Sequence, residues 1–270
     1  MHDQTYFMES QDESLRLDIK TDPQAVEAQG RWAGVGPGMR ILDLGCGAGK
    51  TTQILHRLAL PGGQVVGLDW SQDRINYAVE HYSGSGISYV RRDAREALDD
   101  LGGFDLVWIR FLLEYHTQSC DIVGNAYRVL NPGGTICLLD LDHNCLGHYG
   151  ASPRLDKTMR NIVFAMQKRY GFDPYVGRKL YAYLYDLGCA EIEVGMSPHH
   201  LIYGGLSDTD RFNWLSKAEA ARDVPALFAE DYADGFDEFY RELVEYLDHP
   251  RRFMYTPLIS CKGKRPAAAP

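Results

Sequence analysis

The sequence has no C-x-x-C pair, no excess of basic residues and no long apolar run, and each lack closes off a class of function. Its six cysteines stand apart at 46, 120, 137, 145, 189 and 261, in a chain of 270 residues that is large enough to build a core without covalent staples. Neither a disulfide framework nor a structural zinc site is expected. Twenty-eight Lys plus Arg against 37 Asp plus Glu leave a formal charge of −9, which offers no long-range attraction to a phosphate backbone. Nucleic acid is therefore not an expected partner. No apolar run approaches the roughly 18 residues needed to cross a bilayer, and the N-terminal MHDQTYFMESQDES has neither the basic nor the apolar region of a signal peptide. A cytoplasmic chain with no membrane partner is the expectation. With 45% hydrophobic and 24% charged positions, the composition is that of an ordinary globular domain.

What is present is an alternation. Residues 39 to 140 switch between short β-rich runs and helical patterns, the form taken by consecutive βαβ units and so by a parallel sheet. Strands are predicted at Met39 to Leu44, Gln64 to Asp69, Ile87 to Val90, Phe104 to Ile109 and Thr135 to Leu139. Crossover helices fit Lys50 to Leu60, Ser71 to His81 with Ser71 as its cap, and Ser119 to Leu130, the last stopped by Asn131-Pro132-Gly133-Gly134. Thr21-Asp22-Pro23 caps an earlier helix that runs toward Trp32. Beyond Asp140 the rhythm turns helical: Ser152-Pro153 opens one helix that ends before Gly171, Val176 to Leu187 forms another, and the stretches near Thr209 to Arg222 and Asp234 to Asp248 follow. Ala190 to Met196 and Phe253 to Cys261 read as strands.

The most informative stretch is Asp43-Leu44-Gly45-Cys46-Gly47-Ala48-Gly49-Lys50-Thr51, a strand that passes through three alternate glycines into a helix. A P-loop needs glycine where Leu44 stands. The dinucleotide fingerprint needs glycine where Lys50 stands. An acidic residue followed by G-x-G-x-G instead resembles motif I of the class I S-adenosylmethionine (SAM)-dependent methyltransferases, and the chain is similar to their UbiE-like group. The resemblance runs strongly from about residue 35 to 142, through Phe104 to Arg110 as the fourth strand and Arg128 to Gly134 as the entry to the fifth. It implies an α/β, doubly wound, seven-stranded, mostly parallel sheet of Rossmann-like methyltransferase type with a helical lid insertion. The corresponding division is 1–38 for an N-terminal arm and helix, 39–142 for the SAM-binding core, 143–250 for lid and substrate insertions, and 251–270 for the last strand and tail.

That resemblance assigns roles. Gly45, Gly47 and Gly49 let the turn lie against SAM or its product S-adenosylhomocysteine, and Asp43 would accept from the cofactor's amino group. Asp69, closing the second strand and pointing into the cleft, would take the ribose hydroxyls, Trp70 would lie against the adenine, and Asp93 with the Ala94 amide would meet the adenine edge. Arg16, in the N-terminal arm, and Arg110, after the fourth strand, are candidates for the cofactor carboxylate; Arg110 equally suits an acidic substrate or an ion pair with Glu114. No metal is expected. Asp140-Leu141-Asp142-His143-Asn144 offers oxygen and nitrogen donors, but the carboxylate that would complete a magnesium site after the fourth strand is replaced by Arg110.

Methyl transfer from a sulfonium is a direct displacement in which charge is lost, so positioning supplies much of the rate and a base helps only where the acceptor must lose a proton. Glu114 and His143 are the candidate bases. The Asn/Asp-Pro-Pro-Tyr that clamps a nucleobase or glutamine nitrogen is absent after the fourth strand. Seven of the 17 tyrosines fall between Tyr149 and Tyr203, a supply of rings suited to an aromatic or partly apolar small-molecule acceptor, or to a homodimer contact. A protein or RNA methyltransferase and a non-catalytic SAM-binding protein are the alternatives.

Overall fold

The computed structural model describes residues 13–219 and 221–267. The first twelve residues of the expected arm and the last three of the tail lie outside them. Two helices lead in: α1 (Glu13–Lys20) and α2 (Pro23–Ala33), the latter capped by the Asp22 carboxylate, which accepts from the Gln24 and Ala25 amides. The alternating core follows as β1 (Arg40–Leu44), α3 (Lys50–Leu58), β2 (Gln64–Asp69), α4 (Gln72–Tyr82), β3 (Ile87–Arg91), β4 (Phe104–Arg110), α5 (Ser119–Arg128) and β5 (Leu130–Leu141). Ser71 caps α4 by accepting from the Arg74 amide. Then come β6 (His148–Tyr149), α6 (Pro153–Tyr170), α7 (Leu180–Asp186), β7 (Ala190–Tyr203), α8 (Asp208–Glu219), α9 (Phe236–Asp248) and β8 (Phe253–Lys264).

The strands form one sheet in the order β3-β2-β1-β4-β5-β8, with β7 on the free side of β8 and the short β6 on its other side beyond β5. Neighbours from β3 to β5 are parallel, and β8 is antiparallel to both β5 and β7. This is the expected doubly wound sheet, with β6 as an eighth strand that the sequence had not suggested. Alternation along the strands explains the two faces. Ile41, Val65, Leu106, Trp108 and Leu139 pack with Ala33 and Leu55 of α2 and α3, whereas Leu42, Leu68, Val107, Ile109 and Leu138 pack with Ile122 of α5 and Leu180 and Leu184 of α7.

Two boundaries depart from the sequence reading. Helix α5 stops at Arg128, and Asn131-Pro132-Gly133-Gly134 lies inside β5, taken up by a register irregularity opposite Phe104 to Leu106. Strand β7 continues to Tyr203 and carries His199 and His200 past an irregularity at Pro198. Helices α6, α8 and α9 form a separate layer whose core, including Leu155, Met159, Trp214, Phe239 and Leu243, is sealed from below by Ile202 of β7 and Met254 of β8. Among the described residues no helix is long and apolar enough to cross a membrane.

Candidate active site

The glycine turn leaves β1 with positive φ at Gly45 (80°), Gly47 (54°) and Gly49 (89°), a region that costs other residues about 1–2 kcal/mol each. The Gly45 and Cys46 amides donate to the Leu68 carbonyl at 2.8 and 2.9 Å, which ties the turn to the end of β2. The three glycines serve different ends. A Cβ on Gly49 would stand 2.7 Å from the Ala78 Cβ and 2.8 Å from the Tyr89 hydroxyl, so this glycine lets α4 and β3 close on the turn. Gly45 and Gly47 face a cavity of about 220 Å³ at the carboxyl ends of the strands.

Helix α1 forms one wall of that cavity with Arg16, Leu17 and Lys20. It is fastened to α3 and α4, because Lys50 donates to the Asp18 carbonyl at 2.7 Å and the Tyr82 hydroxyl donates to the Asp18 carboxylate. Arg16 holds Glu13 with two hydrogen bonds of 2.6 Å. At the other end stand Trp70, with 49% of its surface exposed, and Asp93 with Ala94. The Arg95 guanidinium and amide both donate to Asp93 and hold its carboxyl below the usual range.

Asp69 is only 8% exposed and is already engaged. Its Oδ2 accepts from the Gly47 amide at 3.0 Å, and its Oδ1 accepts from the Ser71 amide and from Arg74 Nε, both at 3.0 Å. A carboxylate offers about four acceptor positions, so room for an incoming hydroxyl remains on Oδ2. Asp69 lines the cleft, and to that the structure adds the Arg74 ion pair, in which both side chains are more than nine-tenths buried.

Of the residues singled out in the sequence, Arg16, Gly45, Gly47, Asp69, Trp70, Asp93, Ala94, Arg110 and Glu114 line this cavity. Asp43, Gly49 and His143 do not. Asp43 is buried below the turn, accepts from the Thr52 hydroxyl at 2.6 Å, and has its carboxyl pushed up to about 7 by burial. The ring of His143, at φ +55°, sits 6.0 Å from Tyr175 and 6.4 Å from Tyr255, in the wall of neither cavity described here. Arg110 donates to Gln29 at 3.1 Å and lies over the Phe111 ring at 4.1 Å; it makes no ion pair with Glu114. Burial lowers Arg110 to about 10.

Glu114 sits in a short 3₁₀ turn, Leu113–Tyr115, after β4. Asp140, fully buried at the end of β5, fixes that turn by accepting from the Leu113, Glu114 and Leu141 amides at 2.8, 3.3 and 2.8 Å. Asn144 donates to Glu114 Oε2 at 2.7 Å. Burial raises both carboxyl groups, Asp140 well above the usual range.

Several members of the site were not legible in the sequence. Tyr115 and Phe172, with ring centroids 5.9 Å apart, line both the first cavity and a second one of about 90 Å³. The second is walled by Met159, Ile162, Val163, Met166, Trp214 and Leu243, with Asn144, Cys145, His148 and Lys217 as further members. Lys20 and Arg74 in the first cavity also went unassigned. Asp140 drew notice as a metal ligand rather than as a clamp; among the described residues no three His, Cys, Asp or Glu side chains gather into a metal site.

Residues 36–190, more than half of the chain, match the family model described as a methyltransferase domain. A demethylmenaquinone methyltransferase of Lactococcus lactis is 30% identical over 115 residues, 42% of this chain and 46% of that one. A ubiquinone biosynthesis O-methyltransferase of Methylococcus capsulatus is 34% identical over 110 residues, 40% of this chain and 45% of that one. The chain thus spans less than half the length of these curated relatives. A solved phosphoethanolamine N-methyltransferase 2 of Haemonchus contortus, in complex with S-adenosylhomocysteine, superposes with a TM-score of 0.54 at 18% identity, over 90% of this chain and 52% of that one. Motif, sheet and family match agree: the chain belongs to the methyltransferase-domain family, the class I SAM-dependent methyltransferases.

Proposed function

We propose that this chain moves a methyl group from SAM to a small, largely apolar acceptor by in-line displacement. One observation carries the reading: an apolar cavity adjoins the glycine-turn cavity, and Tyr115 and Phe172 are the wall they share. A mostly apolar pocket with a few convergent polar groups is the usual form of a small-molecule site. The first cavity suits the cofactor. Its turn carries no Cβ at Gly45 and Gly47, Asp69 keeps acceptor capacity on Oδ2, Trp70 shows an open ring face, and Arg16, Lys20 and Arg110 supply positive charge at the far end.

Bound there, SAM supplies an electrophilic methyl carbon on a sulfonium. The protein's own part is to hold and orient. Asp69 would anchor the ribose, Trp70 would cover the adenine, and Asp93, kept ionised by Arg95, would accept from the adenine amino group. Helix α1 lies over the cavity and excludes water. Tyr115 and Phe172 would set the line of approach from the second cavity, an effect that can supply much of the rate. Where the acceptor carries a proton, Glu114 is the candidate to take it, steadied by Asn144 and by the Asp140 clamp. Helices α6, α8 and α9 serve as the lid over the acceptor, and Lys217 and Trp214 come from one of them.

The name of the Lactococcus lactis relative makes demethylmenaquinone, offered in its reduced, hydroxylated form, a sensible first acceptor to test. Methyl-labelled SAM should be incubated with apolar hydroxylated compounds including this one, with a peptide mixture and with RNA. Label is expected in the small-molecule fraction, and Val163→Trp, which fills the second cavity, should stop transfer while calorimetry shows S-adenosylhomocysteine binding unchanged. Label in peptide or RNA overturns the acceptor reading. Product binding without transfer to any pool makes the chain a SAM-binding protein, and no binding at all removes the cofactor assignment.

A further inference from the structure

Two lysine side chains meet at the junction of the cavities. Lys20 reaches from α1 into the wall of the first cavity, and Lys217 reaches from α8 into the wall of the second. Burial, and after it the charge of Lys217, lower the Lys20 pKa to about 7. Among the described residues neither forms an ion pair: Lys217 Nζ donates to the Cys145 sulfur at 3.3 Å, a weak acceptor, and Lys20 Nζ lies 5.8 Å over the Phe111 ring. Both lysines act on Glu114, a carboxylate of the first cavity that also accepts from Asn144 at 2.7 Å. His199, also in the wall, has a buried Nε2 with no hydrogen-bond partner among the described residues. Arg110 adds a further cation on the same side. Lys20, Lys217 and Arg110 thus gather three basic side chains about the carboxylate of Glu114. Uncompensated buried charge is costly, and a ligand of opposite sign removes that cost.

We propose that this junction binds an anionic oxygen of the acceptor, a carboxylate or an ionised hydroxyl, held by Lys217 and Lys20 and by His199 in the tautomer that carries hydrogen on Nε2. The acceptor is then an apolar acid and not a neutral apolar molecule. This rests on the methyltransferase reading, which places the cofactor in the first cavity. Lys217 is the deciding residue. It lines the second cavity and not the first, so the cofactor's own carboxylate, for which Arg16 and Arg110 are at hand, does not account for it.

The test uses the full chain saturated with S-adenosylhomocysteine, whose binding is measured first. Calorimetry then compares 2-naphthoate, 2-naphthol and the neutral 2-naphthamide. One of the two acids is expected to bind at least tenfold more tightly than the amide. Naphthoate preference identifies a carboxylate; naphthol binding that tightens as pH rises through its ionisation identifies a hydroxyl. Lys217→Met should erase the preference, Lys217→Arg should keep most of it, and both variants should bind S-adenosylhomocysteine within twofold of the parent. Equal binding of the amide, no binding of any of the three, or a preference that survives Lys217→Met overturns the proposal. So does a Lys217→Met variant that loses S-adenosylhomocysteine, which would assign the cation to the cofactor. Failure of the parent chain to bind S-adenosylhomocysteine is a different result and removes the methyltransferase reading itself.

Discussion

Replacing Asp69 with alanine separates two roles that the geometry gives to one carboxylate. In the folded chain Asp69 pairs with Arg74 at 3.0 Å, with side chains only 9% and 8% exposed, and it also accepts from the Gly47 and Ser71 amides. Removing one member of a buried ion pair costs about 3–5 kcal/mol, much of it from the charge left behind. Because the truncated site opens toward the cavity and admits water, we take the low end, about 3 kcal/mol. At roughly 2–4 °C per kcal/mol for a chain of this size, the melting temperature should fall by about 6–12 °C. Affinity for S-adenosylhomocysteine should fall separately by about 1.5–3 kcal/mol, the range for hydrogen bonds to a charged group. Urea denaturation measures the first quantity and calorimetry of the residual folded protein the second. The double variant Asp69→Ala/Arg74→Met also removes the cation that faced Asp69 and should recover part of the stability while recovering none of the affinity. A loss of stability below about 1 kcal/mol in Asp69→Ala, or full affinity for the product, would refute the assigned roles.

Further outcomes follow from single contacts. The parent chain should bind S-adenosylhomocysteine with a micromolar dissociation constant, about −8 kcal/mol by calorimetry. Gly49→Ala should cost more than about 2 kcal/mol in urea denaturation, because its Cβ meets Ala78 and Tyr89 within 3 Å, whereas Gly34→Ala, with similar φ and open space, should cost about 1 kcal/mol. Asp43 carries a pKa raised from 3.8 to about 7, so between those values the folded chain holds a proton that the unfolded chain has released, and stability from this group falls as pH rises. Asp43→Asn keeps an acceptor for Thr52 but does not ionise; its melting temperature relative to the parent should therefore be higher at pH 7.5 than at pH 5, and an unchanged difference would refute the buried acid. Glu114→Gln should lower turnover by about 10² or more with product affinity nearly unchanged if Glu114 takes the acceptor's proton; a loss under tenfold leaves positioning as the main source of rate.

Much of the core could be read directly. Short β-rich runs alternating with helical patterns determine a parallel sheet, because each buried strand is followed by a crossover that returns the chain to the end of the sheet where that strand began. The triple glycine and the order of Asp69 and Asp93 behind it located the end of the sheet that carries the first cavity, since such a turn and such carboxylates sit where strands end, whatever the remainder of the chain does. Local spacing could not say which way Asp43 and Gly49 face: the strand pleat sends Asp43 beneath the turn toward Thr52, and the approach of α4 makes Gly49 a packing residue. It could not keep His143 out of the site either, because that depends on where Tyr175 and Tyr255 come to rest. Asp140 acts as a clamp because β5 lies beside β4 and brings it under the Leu113–Tyr115 turn. Lys20, His199 and Lys217 belong to three distant elements and carry no motif. Only the packing of α1 over the sheet and of α8 against the end of β7 brings them to one junction, where burial gives their charges a meaning that spacing along the chain does not contain.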